Sequence, residues 1–399
     1  MKEYVVIRKL VNEGEFEGAI RKAKEVEDKH EKSMIFCMIA DAMVYEDKKE
    51  EAISLLNEAF EVAKEIEEEF SRSLSMSKIA FIMAIAGNVE EALKMASNIE
   101  APSERIYAMV KISQLLKDVD GIEEARKILE EAERITDEMH DGIWRFISIK
   151  TVAYAFVNIG EVDKAWSLIE HAKNMAEKFD EKDASVAHTL IAQFMMELGR
   201  LNEAMELINN IREEYDRAWL LSDVAYMKRD IDLLKKAVKI ARKMEPRYEK
   251  VSVITKIASI MVEWKKKQEA DELINKCIKI SEDIEYEMEK AMALAVISHT
   301  MFENGDERYE DVIGKSIEMA KKLEDFEKEY ASPLIARTLI EVGKFKEAMN
   351  LINEIENEEM RAEVYISIAN DLIEEGREED AMKIAEFMND RLLKERIRK

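Results

Sequence analysis

The stretch GNVEEALKMASNIE, residues 87–100, sets a glycine five residues before an alanine, and the chain repeats that pair. It recurs at Gly14 and Ala19, Gly160 and Ala165, Gly199 and Ala204, Gly343 and Ala348, and Gly376 and Ala381. Seven residues before the glycine lies a position that is usually small, with a β-branched residue in front of it, as in Ile79–Ala80 and Ile191–Ala192. Followed along the chain, the small position falls at Ile7, Ala40, Ala80, Ser113, Ala153, Ala192, Ala225, Ala258, Ser298, Ala336 and Ala369, each preceded by Ile or Val. The turn position is glycine in seven units and Asp47, Asp120, Asp232 and Lys265 in the rest. The alanine position fails only at Glu310, where the loop after Gly305 is expected to carry two or three extra residues.

Such spacing has a direct physical reading. Small residues that face each other let two antiparallel helices approach closely, and glycine ends the first helix in a left-handed turn. Three residues after the small position a bulky side chain returns to the same face, as at Leu10, Met83, Phe156 and Met195, with Lys228 as the exception. The spacings resemble those of the tetratricopeptide repeat (TPR) over essentially the whole chain, although that family's early aromatic and its proline between units are mostly missing. The resemblance implies an all-α fold: one αα-hairpin repeat solenoid over residues 1–399, a right-handed superhelix of about eleven TPR-like units. Related helical solenoids stay open as alternatives. A basic tail over 390–399 is expected to cap the last hairpin with Leu392, Leu393 and Ile397.

Composition agrees with a helical array. Three prolines and eleven glycines in 399 residues leave little room for strands and turns. Lys and Glu dominate the 37% of charged residues and glutamine is scarce. That pattern resembles proteins of hot-growing organisms, and a hyperthermophilic archaeal source is expected. A net charge of −25 repels phosphates and anionic lipid, so neither nucleic acid nor membrane is an expected partner. With no apolar segment long enough to span a bilayer, a cytoplasmic protein is expected.

Successive small positions are separated by 33, 40, 33, 40, 39, 33, 33, 40, 38 and 33 residues. Long units exceed short ones by about two helical turns, which preserves the inward face. Seven residues past the template alanine, long units carry Ala59, Ala132, Ala172 and Cys277, whereas short units carry Val26, Ile99, Ile211, Met244 and Ile355. The expectation is steric: a long second helix needs a small residue where the next helix crosses it, and a short one needs a plug.

No pattern for chemistry emerges. The five histidines show neither metal-ligand spacing nor a neighbouring nucleophile, DEMHDG at 137–142 reads as a solvated corner, and no glycine-rich phosphate loop exists. No catalytic, cofactor or metal residue is assigned, and an enzyme is not expected.

In TPR proteins the first helices line a concave surface, and one lining position follows the small residue. Here it places rings in alternate units at Phe81, Tyr154, Tyr226 and His299, either gripping a peptide or padding the contact between first helices. Four residues further on stands an acidic row that includes Glu197, Asp230, Glu263 and Glu303. Acids there oppose the helix dipole. They form either a salt-bridged, solvated face or the surface that meets a basic ligand. The expected function is a scaffold that binds a protein or peptide of basic and apolar character in its groove. The alternatives are a self-assembling homo-oligomer, or a small-molecule sensor or enzyme in that groove.

Overall fold

The computed structural model describes residues 2–117, 121–140, 142–388, 390, 393–394 and 397. The described residues form 22 helices. The odd-numbered ones are α1 (Lys2–Asn12), α3 (Lys29–Tyr45), α5 (Glu69–Ile85), α7 (Pro102–Lys117), α9 (Ile143–Asn158), α11 (Glu181–Glu197), α13 (Glu214–Lys228), α15 (Tyr248–Glu263), α17 (Glu287–Glu303), α19 (Asp325–Glu341) and α21 (Glu358–Glu374). The even-numbered ones are α2 (Phe16–Glu25), α4 (Lys49–Lys64), α6 (Val89–Ser97), α8 (Ile122–Glu138), α10 (Val162–Ala176), α12 (Leu201–Asn210), α14 (Ile231–Ala241), α16 (Lys267–Glu282), α18 (Tyr309–Ala320), α20 (Phe345–Asn353) and α22 (Glu378–Phe387). In the first unit α5 packs on α6, the even helix that follows it, and on α7, the next odd helix, and in the second unit α15 packs likewise on α16 and α17. The fold is an αα-hairpin repeat array. The contacts fall into two compact units, residues 1–187 with 389–399, and residues 188–388.

The turn chemistry explains the glycine spacing. At the third hairpin Gly87 has φ +95°, its N–H donates to Ala84 O at 2.9 Å, and the N–H of Asn88 donates to Met83 O at 3.1 Å. This paired closure consumes the last carbonyls of the first helix, and it requires a left-handed residue. Asn88 then caps α6 by accepting from the Glu91 N–H. Every small position from Ile7 to Ala369 and every template alanine from Ala19 to Ala381 is 0–1% exposed, so the twelve-residue spacing marks buried seams, with the ninth hairpin lacking the alanine and the seventh shifted as described next.

The seventh hairpin departs from its expected register. Its left-handed residue is Arg229 (φ +51°), and Asp232 lies inside α14. The Asp230 N–H closes the turn on Ala225 O at 2.9 Å, the role that Met83 O has in the third hairpin. Ala225 therefore takes the bulky position, buried Ser222 the small one and buried Leu234 the alanine one. The shift of three residues removes the Lys228 anomaly. In the ninth hairpin, three non-helical residues follow Gly305, against one after Lys265, in line with the longer loop expected there.

Helix lengths follow the predicted coupling. Helices α4, α8, α10 and α16 are 15 to 17 residues long in total and continue beyond a fully buried Ala59, Ala132, Ala172 or Cys277. Helices α2, α6, α12 and α20 stop after 9 or 10 residues, just before buried Val26, Ile99, Ile211 and Ile355, whereas Met244, expected as the fifth plug, is only half-buried because the seventh hairpin is shifted in register. For one of these small residues a partner within its own unit is visible. Cys277 Sγ lies 4.0 Å from Val251 O, a carbonyl of its own unit's first helix and not of the next. In the ninth unit buried Ser316 Oγ donates to the equivalent carbonyl, Ala291 O, at 2.7 Å, which identifies a small residue that the sequence pattern missed.

The tail is described only in part. Asp390 accepts from Arg8 of α1 at 3.1 Å and Leu393 is buried, both within the first unit. Asp118, Asp120, Asp141 and Leu392 lie outside the described residues.

Candidate functional site

The second unit holds most of the predicted groove residues, and it joins several of them to one another. Tyr226 Oη donates to Glu263 Oε1 at 3.0 Å, from α13 to α15. Ser259 Oγ donates to Glu303 Oε2 at 2.6 Å, from α15 to α17. His299 Nε2 lies 3.4 Å from Glu341 Oε2, from α17 to α19. Arg337 of α19 contacts Glu341 at 3.3 Å and Asp371 of α21 at 3.0 Å, and it also pairs with Glu375. Glu263 and Glu303 thus accept hydrogen bonds from polar groups on the preceding first helix, and Glu341 lies at ion-pair distance from His299. This ladder supplies the stabilisation that the helix dipole denies them. The Glu263 carboxylate raises the Tyr226 phenol above its usual range.

The remaining predicted residues are placed as follows. Asp230 caps α14 by accepting from the N–H groups of Asp232 and Leu233 at 2.9 and 3.2 Å, a turn role created by the register shift. The shift puts Asp223 directly after the small residue of the seventh hairpin, three residues before Tyr226. Asp223 pairs with Lys256 at 2.7 Å, and the ammonium of Lys256 sits 3.7 Å above the Trp219 ring. Burial pulls that ammonium below its usual range while Asp223 opposes the fall. Tyr226 is 43% exposed and Glu197 is exposed, whereas His299 is half-buried. In the first unit Phe81 and Tyr154 are half-buried, with the ammonium of Lys150 5.5 Å from the Tyr154 centroid.

The first unit also carries a feature that the lining positions did not reveal. Near the starts of α5, α7 and α9 a cleft of about 500 Å³ opens between Phe70, Leu74, Tyr107, Trp144 and Ile147. Three of its rings are strongly exposed: Phe70 at 61%, Tyr107 at 49% and Trp144 at 69%. Glu104 supplies its carboxylate, and burial raises that group above its ordinary range. A second cavity of about 470 Å³ shares Trp144 and is bordered by Pro102, Glu138, Met139 and His140. The signal was present in the sequence six to ten residues before the small position, at Phe70, Leu74, Tyr107, Trp144 and Ile147. The same register gives Phe326 and Tyr330 on α19 of the second unit, 78% and 62% exposed.

Among the described residues no three His, Cys, Asp or Glu side chains converge as metal ligands, and no helix is long and apolar enough to cross a membrane. Both thiols are buried, which pushes Cys37 up to about 12 and Cys277 up as well, away from the thiolate form that a nucleophile needs.

No protein-family model and no curated protein sequence matches the chain. Similar solved structures include Ton1535 from Thermococcus onnurineus NA1, at 19% identity and a TM-score of 0.33 over 100% of this chain and 98% of that one. Yeast Tom70 is similar at 12% identity and a TM-score of 0.32, over 98% of this chain and 99% of its own. A chain of the APC/C hetero-tetramer Cut9–Hcn1 is similar at 10% identity and 0.30, over 92% and 83%. These values carry no argument about function, and the repeat assignment rests on the turns and buried seams of the chain itself.

Proposed function

We infer that the protein is a non-enzymatic, TPR-like scaffold that binds a protein or peptide partner on the exposed face of its first helices. The observation that carries this reading is the cleft of the first unit, where Phe70, Tyr107 and Trp144 leave their rings in solvent around an apolar floor. Monomeric proteins seldom expose such clustered apolar area without a use for it, and rigid aromatic anchors are what interfaces employ. The half-buried rings Phe81 and Tyr154 extend the candidate surface within the same unit. In the second unit Tyr226, His299, Glu197, Asp230, Glu263 and Glu303 form a separate candidate surface, and its internal hydrogen bonds favour a structural share in that role.

The reading is tested by comparing wild type with Tyr107→Ala/Trp144→Ala for capture of partners from the native cell extract, alongside light scattering of the purified protein. Loss of one discrete partner with an unchanged melting temperature is expected. A wild-type protein that is a stable oligomer through this cleft would replace the scaffold with self-assembly.

A further inference from the structure

The cleft of the first unit is asymmetric in charge. Lys and Arg number 61 in the sequence, and Lys–Glu and Arg–Glu pairs cover much of the surface. Yet the described residues that line the cleft include Glu104 and no lysine or arginine, and those lining the adjoining cavity include Glu138 and again neither. Each cavity therefore presents a carboxylate and aromatic or apolar surface, with Trp144 standing between the two.

Elsewhere the chain fills this arrangement with its own cations. Lys48 lies 4.5 Å from the Phe16 centroid, Lys64 4.9 Å from Phe60, and Lys256 3.7 Å from Trp219 while it also pairs with Asp223. Lys111 lies 5.6 Å from the Tyr107 centroid, so one ring of the cleft already faces an ammonium. Among the described residues Phe70 and Trp144 have no such partner. A half-buried carboxylate beside unoccupied rings is poorly solvated, and an incoming cation gains from both at once.

Building on the scaffold reading, we propose that this cleft receives a lysine or arginine side chain from a partner polypeptide. Its charged end meets Glu104, its methylene stem crosses Tyr107 and Trp144, and neighbouring apolar residues of the partner cover Phe70 and Leu74. The Asp223–Lys256–Trp219 group is the same recognition chemistry satisfied within the chain. The net charge of −25 brings basic partners toward the surface, and the cleft then selects one side chain among them.

The probe is a capped heptapeptide with one central lysine flanked by leucines, compared with its norleucine analogue, which keeps the stem and lacks the ammonium. Binding of each labelled peptide is followed by fluorescence anisotropy. Wild type is expected to prefer the lysine peptide by about tenfold, the scale of a partly desolvated cation on a ring and carboxylate. Glu104→Gln, which keeps the shape, should erase that preference and leave the norleucine peptide unaffected. Trp144→Ala, or Trp144→Phe if the former folds poorly, should weaken both peptides.

Equal affinity for the two peptides in wild type overturns the proposal, and so does binding of neither. A lysine preference that survives Glu104→Gln also overturns it, because that is general attraction to an acidic protein. Loss of the peptide preference while partner capture still depends on Trp144 would leave the scaffold reading standing and remove only this occupant. A dimer that Trp144→Ala dissociates would give the cleft to a second copy of the chain.

Discussion

Replacing Ala132 by leucine tests the link between repeat length and residue size. Ala132 is 0% exposed within α8, one of the 15- to 17-residue second helices. In the eighth and ninth units the equivalent side chains, Cys277 and Ser316, rest on carbonyls of the first helix, at Val251 and Ala291. The corresponding residue for Ala132 is Ile106 of α7, itself buried. Ala132 does not border the cleft of about 420 Å³ that Ile128, Glu131 and Ile135 line, so three additional carbons at this fully buried position push α8 off α7, at a cost of about 1–3 kcal/mol. For a unit of this size each kcal/mol lowers the midpoint by about 2–4 °C. Glu130→Leu, on the exposed side of the same helix, controls for the added leucine and should stay within about 0.5 kcal/mol. Urea and thermal melts followed by circular dichroism give both values. A midpoint for Ala132→Leu that matches Glu130→Leu would refute the steric account.

Two further outcomes follow from particular contacts. Arg229→Gly should raise stability by up to about 1 kcal/mol because Arg229 has φ +51°, whereas Asp232→Gly, within α14, should lower it by about 0.5–1 kcal/mol; urea midpoints of the two variants in the opposite order would restore the register read from sequence. Hydrogen bonds from Arg247 hold the Glu289 carboxyl below its usual range. The stability it contributes is therefore complete above the ordinary glutamate value of about 4.3 and disappears as pH falls through the lowered one. Glu289→Gln should be less stable than wild type at neutral pH and lose less on acidification, and parallel pH profiles would show that the pair is not the cause.

The hairpin seam was legible because one physical requirement, close approach of two antiparallel helices, acts on the same three positions in nearly every unit. It misled at the seventh hairpin, where Val224–Ala225 and Ala237 imitate the template three residues late. Ala225 and Ser222 both face the buried side, so alanine spacing alone cannot order them. Only the left-handed Arg229 does, and arginine gives no compositional sign of that conformation. The acidic row was visible as a pattern while its cause was not, since Glu263, Glu303 and Glu341 find their partners one hairpin away. Phe70, Tyr107 and Trp144 escaped because no single offset from the small position holds them all. A cleft between three successive helices depends on their relative placement, which repeat spacing leaves unspecified.

The central claim is that the first-helix face around this cleft binds a partner polypeptide. Its most direct test places a photo-crosslinking phenylalanine analogue at Tyr107 in the native cell, and in parallel at Ile122, an exposed apolar residue at the start of α8. The account predicts one discrete protein crosslinked from position 107, absent from position 122, and lost when Trp144→Ala is added. Equal products from both positions, products that survive Trp144→Ala, or crosslinks only to another copy of the chain would contradict it.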